Sequence, residues 1–310
     1  MPDVDSAIEV SGLTKRYGAP PAGVLAVDQI DFAVRRGEVF GFLGPNGAGK
    51  TTTIRMLTGL ARPTAGRASV LGLDLARDLP RIKKRIGVVP EGSNLYAELT
   101  AFDNLVFSMQ LYGVPRADRV RRADELLDRF RLADKRDARF VALSRGMKRA
   151  LTVAAALAHE PEVVFLDEPT TGLDVASARG LRGTIARLRD QGVTVFLTTH
   201  YLEEAERLCE RIALIVRGRI VAVDTADGLK SQVQGETAIE VTLEGEAGET
   251  EIRRVVGEDV PAAVRAALAR AEADGRRVLA VNTVRPTLED AFVQLTGISA
   301  DAMRVDRPGR

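Results

Sequence analysis

The 310-residue sequence has no tryptophan, one cysteine and two histidines, and aromatic residues make up only 5% of it. A lone Cys209 excludes an intramolecular disulfide framework and suits a reducing compartment. No apolar run approaches the ~20 residues that a membrane-spanning helix needs, so any membrane role is expected to pass through a partner. The segment Met1-Pro2-Asp3-Val4-Asp5 is acidic and lacks an apolar core, and it is not expected to act as a signal peptide. Charge of one sign is also missing. Lys plus Arg number 44 and Asp plus Glu 43, a net charge of +1 that gives no global reason to expect nucleic-acid binding. What remains is an ordinary globular composition, 45% apolar and 28% charged. The length suits one large domain with a smaller one, or a single large α/β unit. Between Arg116 and Arg149 twelve Lys/Arg stand against six Asp/Glu. Such a basic stretch could face anionic lipid, an acidic partner or simply water.

The most informative stretch is Gly44-Pro45-Asn46-Gly47-Ala48-Gly49-Lys50-Thr51-Thr52. It contains the phosphate-binding pattern G-x-x-x-x-G-K-[ST]. Before it, Glu38–Leu43 reads as a buried strand, and after it Lys50–Leu57 reads as a helix start. That strand, loop and helix context is what the motif requires. The glycines let the backbone curl so that its N–H groups face phosphate oxygens, with a helix N-terminus behind them. Lys50 can reach the β- and γ-phosphates of a nucleotide, and the Thr51 hydroxyl can ligate Mg²⁺.

Along the chain, Ala7–Leu13 and Val24–Val34 alternate apolar and polar residues around Gly18-Ala19-Pro20-Pro21, which predicts an antiparallel flap. Arg67–Leu71 reads as a strand, Ala76–Arg85 as a basic helix and Ile86–Val89 as a buried strand. From Thr100 to about His159 the pattern is helical. Thr100 with Asp103 resembles a capping box, Pro115 opens a second helix, and Ser144 caps a third. Strand and helix then alternate: Val163–Leu166, Val175–Arg189, Val193–Thr198, Leu202–Cys209, and a hairpin of Ile212–Val216 with Arg219–Val223. The order predicts a largely parallel sheet with flanking helices and a helical insertion. Past a boundary near Asp224–Gly235, the strands Thr237–Glu244, Glu251–Val256 and Val278–Val284 and the helices Pro261–Ala273 and Thr287–Leu295 predict a small second domain. Residues Ile298–Arg310 read as a disordered tail.

Val163–Pro169 reads V-V-F-L-D-E-P. Two carboxylates at the end of a parallel strand fall where ligands gather in such sheets. Asp167 suits Mg²⁺, directly or through water, and Glu168 suits orienting or deprotonating an attacking water. His200, in T-T-H after the next strand, could hydrogen-bond a γ-phosphate through a neutral imidazole. His159, at a helix end before Pro161, reads as structural.

Taken in order, these elements resemble the ATP-binding subunit of an ABC transporter, over about Ile8 to Val223. Tyr17 matches the adenine-stacking aromatic and Gly44–Thr51 the phosphate loop. Val89-Pro90-Glu91 matches the lid that senses the γ-phosphate, and Leu143-Ser144-Arg145-Gly146-Met147 the signature. Asp167-Glu168, Gly172-Leu173-Asp174 and His200 complete the set. The departures are Glu91 where the family has Gln, and Arg145 and Met147 where the signature has Gly and Gln. Arg285-Pro286-Thr287-Leu288-Glu289-Asp290-Ala291-Phe292 is similar to the ending of the daunorubicin-resistance, drug-efflux branch.

The resemblance implies an α/β fold of the P-loop NTPase type (ABC ATPase) over residues 1–223. That fold carries an antiparallel β flap and a helical subdomain at about 91–160, and a small α+β domain follows at 224–297. ATP and Mg²⁺ are the implied cofactors. Lys50, Glu168 and His200 would be catalytic, and Thr51, Glu91 and Asp167 would face the metal. Tyr17, Gly44–Thr52, Glu91, Ser144, Gly146 and Asp174 would contact nucleotide. Two copies would form a head-to-tail sandwich, with Ser144 and Gly146 of one facing the phosphates of the other. A separate membrane permease would be the partner, holding the chain on the inner face of the cell membrane to export drugs, lipids or other hydrophobic compounds. No nucleic acid is expected. The alternative is a soluble ABC ATPase acting on nucleic acid or ribosomes, but such proteins tend to carry long coiled coils or two ATPase units.

Overall fold

The computed structural model describes residues 6–19, 23–233, 238–244, 250–256, 260–284 and 286–299. The expectations for the first five residues, Pro20 and Pro21, Thr237, Arg285 and the tail from residue 300 lie outside them. Two compact units divide between Ala226 and Asp227.

The first unit opens with β1 (Ser6–Tyr17) and β2 (Val24–Arg35), paired antiparallel. Next come β3 (Val39–Leu43), α1 (Lys50–Leu57), β4 (Ala65–Val70), β5 (Leu73–Asp74), α2 (Leu79–Lys83) and β6 (Ile86–Val89). β1, β2, β4 and β5 form an antiparallel sheet in the order β2-β1-β4-β5. The helices α3 (Ala101–Leu111), α4 (Arg116–Arg129) and α5 (Arg145–Leu157) follow. The chain then returns through β7 (Val163–Asp167), α6 (Val175–Asp190), β8 (Thr194–Thr199), α7 (Leu202–Leu208), β9 (Arg211–Val216) and β10 (Arg219–Asp224). These later strands join β3 and β6 in a second sheet ordered β10-β9-β3-β8-β7-β6, parallel except for β10 at one edge. β3 and β7 are buried at every position, as the near-continuous apolar runs of covered parallel strands require.

The scarce aromatic residues are concentrated. Phe32 of β2, Phe40 and Phe42 of β3, Phe165 of β7 and Phe196 of β8 form one cluster, with Phe42 and Phe196 centroids 5.4 Å apart. They tie the flap to the parallel sheet and place the main core between them. The helical region has a core of its own around Leu105, Met109, Leu127, Phe140 and Leu151. Cys209 lies under β3, where a Cβ on Gly41 would come within 2.7 Å of its sulfur. Burial pushes the thiol well above its ordinary range. Alkylation of the native protein by iodoacetamide at pH 8 is therefore expected to be negligible and to become complete in denaturant, a contrast that mass spectrometry reads directly.

Two local expectations change. The basic stretch from Ala76 is helical only over α2. Asp74 Oδ1 accepts hydrogen bonds from the N–H groups of Ala76 (2.8 Å) and Arg77 (3.1 Å), a turn that consumes the donors a longer helix would start from. Thr100 caps α3 by accepting from Asp103 N, but Asp103 returns its carboxylate to the Thr100 hydroxyl at 2.6 Å, not to the backbone. The complete reciprocal box forms instead at Thr287 and Asp290.

α8 (Ala226–Ser231) begins at the division. In the second unit β11 (Ala238–Glu244), β12 (Thr250–Val256) and β13 (Val278–Val284) form an antiparallel sheet ordered β12-β11-β13. α9 (Val260–Ala273) covers it through Val264, Ala267 and Ala271 against Val241, Leu243, Val278 and Val281. α10 (Leu288–Thr296) buries Leu288, Ala291 and Phe292.

Candidate active site

β3 ends at Leu43 and α1 starts at Lys50, so the chain turns within residues 44–49. A Cβ at Gly44 would lie 2.1 Å from the Ile215 carbonyl oxygen, and one at Gly49 2.6 Å from that of Ala26. Gly49 also has φ 111°, so neither position accepts a side chain. Gly49 is the N-cap of α1 and offers no side-chain cap, which leaves the first N–H groups of the helix to an outside acceptor.

Lys50 is 5% exposed. Its ammonium donates to the Gly44 carbonyl at 2.6 Å and the Pro45 carbonyl at 3.3 Å. It also stands 2.9 Å from Glu168 Oε1 in a buried ion pair. Glu168 Oε2 faces His200 Nδ1 at 2.7 Å. Burial works against ionisation of Glu168, but the His200 hydrogen bond and the charges of Lys50 and His200 outweigh it and hold the carboxyl below its usual range. The residue sits at φ 46°, a left-handed conformation that costs a non-glycine about 1–3 kcal/mol and recurs at functional sites. With Nδ1–H given to an ionised Glu168, a neutral His200 has no second N–H. A contact from Nε2 to phosphate then needs the protonated ring, and a neutral ring could donate there only as the other tautomer.

Asp167, at the end of β7, accepts from Thr51 Oγ1 at 3.2 Å and from Thr198 Oγ1 at 2.6 Å. Thr198 therefore holds the Asp167 carboxylate from the adjacent strand. Its own hydroxyl also accepts from Glu168 N at 3.1 Å. A cavity of about 190 Å³ is lined by Asn46, Gly47, Lys50, Thr51, Thr52, Glu91, Glu168 and His200 among others. A larger one, about 820 Å³ along α5 and α6, has five arginines and no carboxylate among its lining residues. Size does not mark the chemistry here; the smaller cavity holds the phosphate loop and the carboxylate together.

The remaining candidates lie elsewhere in the first unit. Ser144 caps α5, accepting from Met147 N at 3.3 Å. Asp174 caps α6, accepting from Ser177 N (2.9 Å) and Ser177 Oγ (2.7 Å), bonds that hold its carboxyl below the usual range. Gly146 lies against the same serine, since a Cβ there would be 2.3 Å from Ser177 Oγ. Arg145 donates to the Thr171 carbonyl at 3.3 Å and covers Gly172. None of Ser144, Asp174 and Tyr17 lines the phosphate-loop cavity. Tyr17 is 41% exposed at the end of β1, under Lys15 Nζ at 4.9 Å. His159 stacks on Tyr112 (3.7 Å between centroids) and bonds the Ile86 carbonyl through Nε2, a structural setting.

Comparison with known proteins decides the family. Residues 27–171 match the ABC transporter family model. The chain is 37% identical over 309 residues to the linearmycin resistance ATP-binding protein LnrL of Bacillus subtilis (strain 168), spanning 94% of this chain and 98% of that one. The chain belongs to the ABC transporter family. It is 38% identical over 314 residues to the daunorubicin/doxorubicin resistance ATP-binding protein DrrA of Streptomyces peucetius, spanning 95% and 94%. Among solved structures it resembles the ATP-binding cassette MJ0796 in a dimeric post-hydrolysis state bound to ADP and Pi. That match has a TM-score of 0.66 and 25% identity and covers 70% of this chain and 98% of the other. The fold is that of an ABC cassette, and the chain is an ATP-binding, ATP-hydrolysing subunit. These relatives give no support to the alternative of a soluble ATPase working on nucleic acid or ribosomes.

Sequence reasoning missed Thr198 and Arg149. Thr198 stood beside His200 and was legible as a hydroxyl at a strand end. Arg149, 8% exposed inside α5, carries no motif signal.

Proposed function

We propose that the chain energises a separate membrane permease, and that the permease exports drugs, lipids or other hydrophobic compounds from the inner face of the cell membrane. The observation that carries this is the assembly of Lys50, Glu168 and His200 at 2.7–2.9 Å beside a phosphate loop, in a chain whose near-full-length relatives are resistance ATP-binding proteins. No helix among the described residues is long and apolar enough to cross a membrane, and this proposal assigns the path for the compound to the permease.

The donor set fits both ATP and Mg²⁺. Thr51, Asp167 and Glu91 offer oxygen only, as a hard cation requires, and Mg²⁺ characteristically takes one or two carboxylates with phosphate and water. When bound, it would neutralise phosphate charge. Lys50 is placed to exchange its Gly44 and Pro45 carbonyls for phosphate oxygens. Thr51 and Asp167 would hold the metal, with Thr198 fixing the Asp167 rotamer. Glu168 stays ionised and can orient or deprotonate a water, while His200 holds its second oxygen in place. Tyr17 would stack on adenine. Ser144 and Gly146 would face the nucleotide of a second copy, with Asp174 at the boundary between copies. The second unit would steady the dimer or help seat the permease.

Membrane fractionation tests the permease reading. The chain is expected to sediment with membranes only when a permease chain is co-expressed, with ATP turnover altered in that fraction. A chain that stays in the supernatant in both cases, with the same turnover, would overturn it.

A further inference from the structure

Arg149 lies about one turn into α5 and is 8% exposed, yet it has no hydrogen bond to a carboxylate. Its guanidinium spans four backbone carbonyls, two just past β6 and two at and just past the end of β7. Nε donates to Pro169 O at 2.8 Å and Nη2 to Asp167 O at 2.9 Å. Nη1 donates to Pro90 O, and to Glu91 O at 3.2 Å. Burial lowers its pKa to about 10, against the charges of Asp167, Glu91, Glu204 and Glu168, so these carbonyls have to carry the solvation that water would otherwise give.

What the fork joins is more informative than its burial. Pro90 and Glu91 follow β6 and form the segment that carries a candidate metal-facing carboxylate. Asp167 and Pro169 flank Glu168, whose φ of 46° depends on where these two peptides are held. Arg149 itself is five residues after Ser144, on the same helix and about 7.5 Å along its axis. The acceptors are main-chain carbonyls, so they move only with the backbone, and four bonds at once hold the Arg149 rotamer. The fork therefore gives a shift of the 90–91 segment a direct route to α5, and with it to Ser144 and Gly146.

We propose that Arg149 is a positioning residue that links a chain's own ATP site to the signature segment it presents to its partner's ATP. Nucleotide in one site, by setting the 90–91 segment and the Glu168 hinge, fixes the orientation in which Ser144 and Gly146 meet the neighbour. The inference rests on the head-to-tail reading above and adds a within-chain connection to it. Spatial continuity supplies the route, and a measured coupling has to supply the energy.

The test uses Arg149→Lys in the full chain. Lysine keeps the charge, but a single ammonium cannot reach both pairs of carbonyls. It is combined with Glu168→Gln, which removes turnover, and compared with Glu168→Gln alone. Three quantities are measured: ATP-analogue affinity of the monomer, melting temperature, and the ATP concentration that gives half-maximal dimer by light scattering. The double variant is expected to bind nucleotide within about twofold of its parent but to need about tenfold more ATP, or more, to dimerise. Unchanged dimerisation overturns the proposal. So does a loss that tracks nucleotide affinity or melting temperature, because that marks a purely structural role. If Glu168→Gln alone forms no ATP-dependent dimer, the head-to-tail reading fails, and the role of Arg149 fails with it. A parent that dimerises beside an unaffected double variant sinks the role of Arg149 only.

Discussion

Glu168→Gln is expected to leave ATP binding close to that of the parent and to cut hydrolysis about a hundredfold or more, the usual range for removing a positioned base. Glutamine keeps the shape of the side chain. Its amide oxygen can still accept from His200 Nδ1, now 2.7 Å from Oε2. It cannot accept a proton, and it no longer balances Lys50 at 2.9 Å. The ammonium, no longer neutralised by a carboxylate, brings its full charge to the phosphate, so affinity should hold or rise while turnover collapses. ATP should also accumulate a dimer, because in the proposed sandwich hydrolysis is the step that releases it. Size-exclusion chromatography with and without ATP reads the dimer, and phosphate release reads turnover. Near-parental turnover would remove Glu168 from the catalytic role.

Much of this site was legible because its chemistry is local in sequence. The phosphate loop needs glycine where the Ile215 and Ala26 carbonyls approach, and those positions fall inside one nine-residue stretch. Asp167, Glu168 and His200 were legible from strand ends, since parallel strands deliver their carboxyl ends to one edge. The parts that escaped notice are set by pairing across the sheet. Thr198 matters because β8 runs beside β7 in the register that puts it opposite Asp167. Arg149 matters because α5 passes behind two loops that are 59 and 20 residues away in sequence. In one dimension it is one more cation in a basic stretch, and the bland reading of that stretch as solvated surface fails at this residue. The shortened α2 has the opposite cause. The helical composition was present, but a single side chain, Asp74, competes locally for the N–H groups.

Lys50→Ala is expected to abolish turnover and weaken nucleotide binding by about ten- to a hundredfold, the loss of charge-assisted hydrogen bonds worth about 1.5–3 kcal/mol. It should also reveal the cost of the site to the ligand-free protein. Lys50 and Glu168 are 5% and 7% exposed, and removing one member of a buried pair leaves the other charge uncompensated, a loss of about 3–5 kcal/mol in such cases. His200 shares the carboxylate, so the lower end of that range applies here. The pH dependence separates the two effects. In the parent the Glu168 carboxyl is held below its ordinary value. Its contribution to stability is therefore complete above the unfolded pKa of about 4.3 and is lost as pH falls through the folded value. Without Lys50, one of the groups that outweighs burial is gone, and the carboxyl pKa moves up. The stability gap between parent and variant should then be widest near pH 7 and should narrow as pH falls from the variant's raised folded pKa towards the parent's lowered one, because the unfolded value is common to both and cancels. Denaturant unfolding at a series of pH values measures that gap, and titration with a fluorescent ATP analogue at pH 7 measures binding. A gap that stays constant with pH would mean that Lys50 acts on the loop backbone alone, through the Gly44 and Pro45 carbonyls, and that its pairing with Glu168 contributes nothing to the fold.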